Sequence, residues 1–407
     1  MPVEFPKLRP LEVFPVQSGG KTVVCFQDPL KYCESPVFLR DKAYFIASLC
    51  DGTNSLRDIQ AEYMRRFDEL IYMESIEAVV NELDSKHLLE SDGFRAYCGQ
   101  VECDFRSSKT RHAFLAGKAY DADPETLRAQ IDGFYLDPEG PGLPNGSRKD
   151  KRVTGLIAPH IDFQRGGACF AYGYKELAES EPADLYVILG VAHVQTRHPF
   201  ILTNKEFDTP FGTMPVDSDA VEQLAGSSDA DFFADELVHR TEHSIEFQTV
   251  FLKHVLQQDD TPRILPILCS TPDVPPDGKE PAAEESYASF ATNLREIVYA
   301  REKTCVIAGV DLSHIGPRFG AVQRVGQDDL EDAEQHDRHL LGFVEKIDAS
   351  GFYDAAMRDG NRRNVCGVGP IYLLLQTVRA SKVTILKYEQ AYDPNGTVTF
   401  ASACFTP

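Results

Sequence analysis

Three stretches of the chain set chemistry-bearing side chains just beyond a short apolar run. LIAPHIDFQRGG places His160 there, VILGVAHV places His193, and VIAGVDLSHIG places Asp311, Ser313 and His314. Apolar runs of this length suit buried strands. Open α/β sheets bind ligands beyond the carboxyl ends of their strands. The three clusters are therefore expected to meet in one polar site, although they lie far apart in sequence. Imidazoles with a neighbouring carboxylate form a donor set for a single metal ion. A fourth stretch, TEHSIEFQTVFLKHVL, reads as a buried helix with Glu242, His243, Glu246 and Gln248 gathered at its start. Polar groups at the end of a buried helix need partners, so they either cap the helix or face the site. Imidazole as a residue type changes charge near neutral pH, so a His at position 243 could move a proton; Asp311 and His314 are candidates for the same work. Arg165, in QRGG, could hold an anionic ligand group bidentately, with Asp162 close by in sequence. Cys366, in NVCGVGP, could line the same pocket or pack a helix start.

These motifs sit in an alternating rhythm. VTGLIAP, DLYVILG, RILPILC and TCVIAG read as strands covered on both faces. Helical stretches fall between and after them, at about 167–179, 244–256, 281–300 and 326–347. KVTILKYEQAY and TVTFASACF add two further strands. The rhythm predicts an α/β domain over 153–407. Residues 98–152 read as a linker and the start of that domain. They hold a helix over about 124–135 and a Pro/Gly-rich exposed loop at 137–151.

Residues 1–97 form a separate unit. VVCF at 23–26 reads as strand, and helices are expected at about 41–50, 56–67 and 73–86, the second opened by a Ser55–Asp58 capping box. LLESDGF reads as a strand and turn. Three short helices with a small β-wing suggest a winged-helix shape. The first 100 residues carry 16 acidic and 11 basic side chains, a net of −5, and the whole chain carries −22. Charge of that sign repels phosphate backbones and excludes nucleic acid and anionic membrane as main partners. No apolar stretch approaches the length of a membrane span, and the start lacks a secretory pattern. A cytoplasmic location follows as the expectation. The ten cysteines contain no CxxC pair, which argues against a zinc ribbon and for reduced thiols.

FIASLCDGTNSLRDIQAEYMRRF followed by VVNELDSKHLLE resembles the PqqD-like family of small peptide-recognition domains. That resemblance implies docking of a peptide strand on the first unit. Further along, APHIDFQRGG, ILGVAHV, FDTPFG-x-x-PVD, EHSIEFQTVFL, DLSHIGPRFG and NVCGVGPIYLLL fall in the order and spacing of the Memo family, the Memo-like part of the AmmeMemoRadiSam group. HAFLAGKAY resembles the usual start of that family, and the match runs over roughly 110–407. The resemblance implies a fold similar to class III extradiol dioxygenases, a non-haem Fe(II)-type metal site, and radical-SAM and AMMECR1-like partner proteins. Carried over by position, it implies metal ligands at His160, His193 and Ser313, where Ser313 stands at a cysteine of a D-x-C-H segment. Val194 stands where the family carries a second His. A hydroxyl is a weaker ligand than a thiolate, so a carboxylate from Asp162 or Asp311 would be needed to complete a two-His-one-carboxylate set.

Three functions fit these residues. One is a metal-dependent oxidase or dioxygenase-like enzyme holding Fe(II), with Zn or Cu as substitutes. The second is a non-catalytic accessory protein, with or without a metal, that binds a peptide or phosphopeptide. The third is a hydrolase using a metal-bound water, with Glu246 or His243 as base. Asp162, Arg165, Glu242, Glu246 and Cys366 are the residues expected to contact a peptide or small-molecule ligand. Whether the chain is an enzyme stays open at this point.

Overall fold

The structure, a computed structural model, describes residues 3–18, 20–146, 151–256, 262–270 and 280–407. The last part of the exposed-loop expectation, 147–150, lies outside the described residues. The chain divides into two compact units, Met1–Ser107 and Ser108–Pro407.

In the first unit, β1 (Glu12–Ser18), β2 (Lys21–Gln27) and β3 (Val37–Leu39) form an antiparallel sheet in that order. Helices α1 (Asp41–Ser48), α2 (Leu56–Phe67), α3 (Met73–Ser85) and α4 (Asp92–Ser107) follow. Phe26, Ile46, Ile59, Ile76, Val80 and Leu88 close its core. Ser55 and Asp58 form the reciprocal cap that starts α2. The strand-and-turn expectation for LLESDGF fails beyond Leu89. Ser91 Oγ accepts from the Phe94 amide at 3.0 Å, so SDGF opens the helix α4 instead. An N-cap serine carried that signal, and α4 runs through 98–107, which the sequence had suggested as linker.

The second unit contains β4 (Thr110–Arg111), α5 (Pro124–Leu136), β5 (Gly155–Ala158), α6 (Phe163–Ala178), β6 (Leu185–Ala192), β7 (Phe200–Leu202), β8 (Glu206–Phe207), α7 (Ser218–Ala225), α8 (His243–Val255) and β9 (Arg263–Ser270). It continues with α9 (Glu285–Ala300), β10 (Thr304–Gly309), β11 (His314–Ile315), α10 (Gln327–Val344), α11 (Ala349–Met357), α12 (Val368–Thr377), β12 (Lys382–Ala391) and β13 (Thr397–Thr406). One eight-stranded mixed sheet runs β11-β13-β5-β10-β6-β9-β7, with β12 on β13. β5, β10, β6 and β9 pair in parallel, and β13 joins β5 antiparallel. The fold is thus the expected α/β class, a mixed sheet flanked by helices. β5, β6 and β10 are buried at every residue, which is why they read as unbroken apolar runs. Among the described residues no helix is long and apolar enough to cross a membrane.

Two glycines set the depth at which α8 lies on the sheet. A Cβ at Gly309 would stand 2.6 Å from the Ser244 carbonyl oxygen, and one at Gly190 would stand 2.5 Å from Ser244 Oγ. Only glycine permits that approach. Ser244 Oγ uses it, accepting from the Val191 amide at 2.9 Å. The contact brings the start of α8 to the ends of β6 and β10.

A second anchor comes from the beginning of the unit. Arg111 is fully buried and pairs with Glu246 of α8. Its other donors reach the carbonyls of His239 at 2.8 Å and Glu242 at 2.9 Å. The Tyr120 hydroxyl at 2.5 Å and the Leu115 amide at 2.8 Å donate to the remaining Glu246 oxygen.

Candidate metal centre

β5, β6 and β10 end side by side, and their following residues meet as their strand order requires. The His160 ring lies 5.0 Å from those of His193 and His243. His193 and His243 stack at 4.8 Å with 17° between planes. Each imidazole is fixed through Nδ1. His160 Nδ1 donates to the Gly309 carbonyl at 3.0 Å. His193 Nδ1 lies 3.0 Å from Glu242 Oε2 and 3.1 Å from Oε1, and His243 Nδ1 lies 3.0 Å from Oε1. One carboxylate therefore holds two rings. It also caps α8, accepting from the His243 and Ser244 amides at 2.8 and 3.1 Å. An occupied Nδ1 leaves Nε2 as the lone-pair nitrogen, the tautomer a metal ligand needs.

Cys366 lies beside these rings. Its Sγ is 3.4 Å from His160 Nε2, and His160, His193 and Cys366 offer donor atoms all within 4.8 Å of one another. Metal–nitrogen bonds near 2.1 Å and metal–sulfur bonds near 2.3 Å put tetrahedral ligand atoms about 3.5 Å apart. The donor set, two imidazoles and a thiol within 4.8 Å of one another, is of a kind and spacing that a transition-metal ion could bridge. Asp311 Oδ2 sits 3.7 Å from His160 Nε2, while Asp311 Oδ1 accepts from the His160 and Ile161 amides at 3.0 and 3.2 Å.

Ser313, the third ligand implied by the resemblance, spends its hydroxyl on another group in this structure. Ser313 is fully buried and its hydroxyl donates to Asp337 of α10 at 2.6 Å. Asp337 also accepts from Thr399 at 2.5 Å and Tyr388 at 3.0 Å. The Ser313 side chain serves that buried carboxylate, and the sulfur beside the imidazoles comes from Cys366, just before α12. Glu246 likewise has its oxygens occupied by Arg111, Tyr120 and the Leu115 amide. Neither oxygen is left to act as a base or to hold a ligand. Asp162 caps α6 and accepts from Arg165 Nε at 2.6 Å; both side chains are substantially exposed. His314 lines the cleft with Nδ1 on the Leu312 carbonyl at 3.0 Å. The double hold of Glu242 and the fork of Arg111 were missed in the sequence. EHS at a buried helix start carried the signal for the first, and nothing local carried the second.

Electrostatics separate the rings. Burial, then the neighbouring His243 and His193, holds His160 well below the usual imidazole range. Burial also pulls on His193, but the Glu242 charge and hydrogen bonds outweigh it and raise His193 well above that range. Glu242 moves oppositely: burial pushes it up, and the two imidazoles bring it well below the carboxylate range. Burial lifts Asp311 to about 7 and lowers His314 to about 4. The Cys366 thiol is raised, by burial first; a bound cation would reverse this, because a coordinating thiol is deprotonated. His193 is the open member, its side chain 36% exposed against 2% for His160. It faces a cleft of about 890 Å³ shared with His314 and Cys366.

The profile of the Memo-like protein family matches residues 111–403. A "MEMO1 family protein" from Aquifex aeolicus is 27% identical over 374 residues, which is 92% of this chain and 91% of that protein. "MEMO1 family protein MK0963" from Methanopyrus kandleri is 30% identical over 296 residues, 70% of this chain and 94% of that one. A relative from Methanosarcina mazei is 30% identical over 290 residues, again 70% and 94%. The Aquifex alignment reaches into the first unit, since the second supplies only 300 of the 407 residues.

Proposed function

This chain belongs to the Memo family, and we propose that it holds one transition-metal ion on His160 Nε2, His193 Nε2 and Cys366 Sγ and acts as a metal-dependent, non-haem-iron-type redox enzyme. The observation that carries the reading is the shared Glu242 carboxylate. Together with the Gly309 carbonyl, it turns the Nε2 atoms of both imidazoles toward one thiol. A purely structural cluster has no need to fix the tautomers in that way.

A thiolate with two imidazoles favours iron, copper or zinc over magnesium or calcium. When bound, such an ion supplies Lewis acidity and, for iron or copper, electron transfer. The chain's own residues do the rest. Glu242 keeps His193 aligned and holds His243 beside it, so His243 Nε2 can take or return a proton at the ligand. His314 stays neutral near pH 7, with its Nδ1–H on Leu312, and can accept a hydrogen bond from a bound molecule. The half-open position of His193 leaves room for that molecule on the cleft side. A hydrolytic reading uses the same donors, with His243 rather than Glu246 as base. Radical-SAM and AMMECR1-like partners, implied by the resemblance, belong to this proposal as its pathway setting.

Metal content after anaerobic purification tests the reading. About one ion per chain is expected in the native protein, falling to background in His160→Ala, His193→Ala and Cys366→Ser. Absence of any metal from the native chain, including after reconstitution with Fe(II), Cu(I) and Zn(II), refutes it. Bound zinc without a redox-active metal shifts the assignment to the hydrolase.

A further inference from the structure

We propose that Gln248 is a positioning residue of this centre: it fixes the peptide unit that carries His160, and through it the direction of His160 Nε2. What Nε2 does rests on the metal reading above. How Nε2 is aimed rests on a separate chain of buried hydrogen bonds.

β5 ends at Ala158, whose carbonyl still takes the Val310 amide at 2.9 Å. The next peptide unit, Pro159–His160, lies beyond that ladder, and both residues are buried. Each polar group of the unit is met by a side chain. Gln248 Nε2 donates to the Pro159 carbonyl at 2.8 Å, and Asp311 Oδ1 accepts from the His160 amide at 3.0 Å. A peptide unit is planar, so a hold on both edges fixes its plane and the direction in which the His160 side chain leaves it. The Gly309 carbonyl then sets the ring, through Nδ1 at 3.0 Å.

Gln248 is itself built into its place. It lies one turn beyond Ser244 on α8 and is fully buried against the sheet. The Pro159 carbonyl can only accept, so the NH₂ end must face it. At the other end Oε1 accepts from the Tyr174 hydroxyl at 2.9 Å. Gly309 supplies the room: a Cβ there would stand 2.7 Å from Gln248 Nε2 and 2.8 Å from its Cγ. The same glycine thus admits the group that holds the His160 peptide and offers the carbonyl that holds the His160 ring. An apolar side chain at 248 would fill the slot and leave the Pro159 carbonyl buried without this donor, a cost the peptide relieves by turning. One helix therefore aligns both imidazole ligands, His193 from the cap at Glu242 and His160 from Gln248 further along.

Co(II) titration of the full-length chain tests this, with Gln248→Met as the variant and Thr249→Val as the control. Met fills the slot and cannot donate. The buried Thr249 hydroxyl donates within α8, to the Glu246 carbonyl at 2.8 Å. Q248M is expected to bind Co(II) about tenfold more weakly than the native chain and to shift the visible d–d bands, while T249V matches native in both. A folded Q248M chain with native affinity and superimposable d–d bands overturns the proposal. So does a T249V chain that loses affinity equally, since loosening of α8 would then be the cause. If Q248M does not fold, Tyr174→Phe takes its place, because it frees Oε1 and with it the carboxamide; weaker Co(II) binding supports the proposal and unchanged binding overturns it. If the native chain takes up no metal, the metal reading fails first, and the aim of His160 is read on the metal-free chain by heteronuclear NMR. Its Nδ1 proton should then exchange with water about tenfold faster in Q248M than in the native and T249V chains, and an equal rate overturns the proposal.

Discussion

Replacing Glu242 by glutamine isolates what one carboxylate does for two imidazoles. The side chain keeps its length and one acceptor oxygen, so the cap on the His243 and Ser244 amides at 2.8 and 3.1 Å is largely preserved. What is lost is the negative charge and the second acceptor, Oε2, which lies 3.0 Å from His193 Nδ1; the retained oxygen stands at Oε1, which takes the cap amides and His243 Nδ1 at 3.0 Å. An amide can satisfy one ring with its oxygen, but its NH₂ end repels a second Nδ1–H. Removing such a partner of a ligating histidine weakens metal binding about 10–100-fold, or roughly 1.4–2.8 kcal/mol. The upper half of that range is expected here, because two rings depend on the same group. The assay is a competition titration of the native and E242Q chains against a chelator of known affinity at pH 7.5. Unfolding by urea is measured in parallel and should shift by less than about 1 kcal/mol, since the helix cap survives. A metal Kd within threefold of native, with folding intact, would show that the Glu242 contacts do not prepare the ligands.

Other outcomes follow from the same geometry. Cys366→Ser should abolish thiolate-to-metal absorption in the Co(II)-loaded chain, whereas Ser313→Ala should leave the spectrum and metal content unchanged and cost about 1–2 kcal/mol of stability, because Asp337 loses one of three hydroxyl donors; the reverse pattern would restore Ser313 as the ligand. Metal affinity should rise with pH from 6.5 upward, because the Glu242 partner keeps a proton on His193 above its ordinary range and the metal must displace it; an affinity flat between pH 6.5 and 8 contradicts that order of protonation. Arg111→Met should destabilise the fold by roughly 3–5 kcal/mol by stranding Glu246. The double variant Arg111→Met/Glu246→Leu should recover part of that loss in urea unfolding, and strictly additive effects would mean the pair is not coupled.

The sequence made the strand ends legible because strands buried on both faces must be written as unbroken apolar runs. His160, His193 and Asp311 follow such runs directly, so a general rule about sheets was enough to bring them together. Cys366 is a different case. It precedes a helix, α12, and its place beside His160 depends on a tertiary path that no local pattern encodes. The loop before it holds Asn361 and Asn364 at positive φ, 53° and 49°, which is legible only as a turn. Position-by-position transfer then favoured Ser313, the residue adjacent in sequence to Asp311 and His314, over the one adjacent in space to the imidazoles. The Arg111–Glu246 pair was hidden for the same reason: the two residues are 135 positions apart, and although Glu246, at a buried helix start, reads as a group in need of a partner, nothing in the sequence points to Arg111. In the first unit the helix α4 was missed because its cap, Ser91, follows a stretch that ends like a strand.

The glycines under α8 have a consequence for how this architecture can change over generations. Under the proposed metal reading, a donor such as Cys366 sits on a loop and can be exchanged for a weaker or harder one while the fold survives. Gly190 and Gly309 have no such freedom, since even a methyl group at either would drive α8 off the sheet. A lineage can therefore lose its metal long before it loses those two positions. Descendants that had abandoned the chemistry would still carry the glycine pair as the imprint of a site their ancestors used, and the pair would mark common descent where the ligands no longer did.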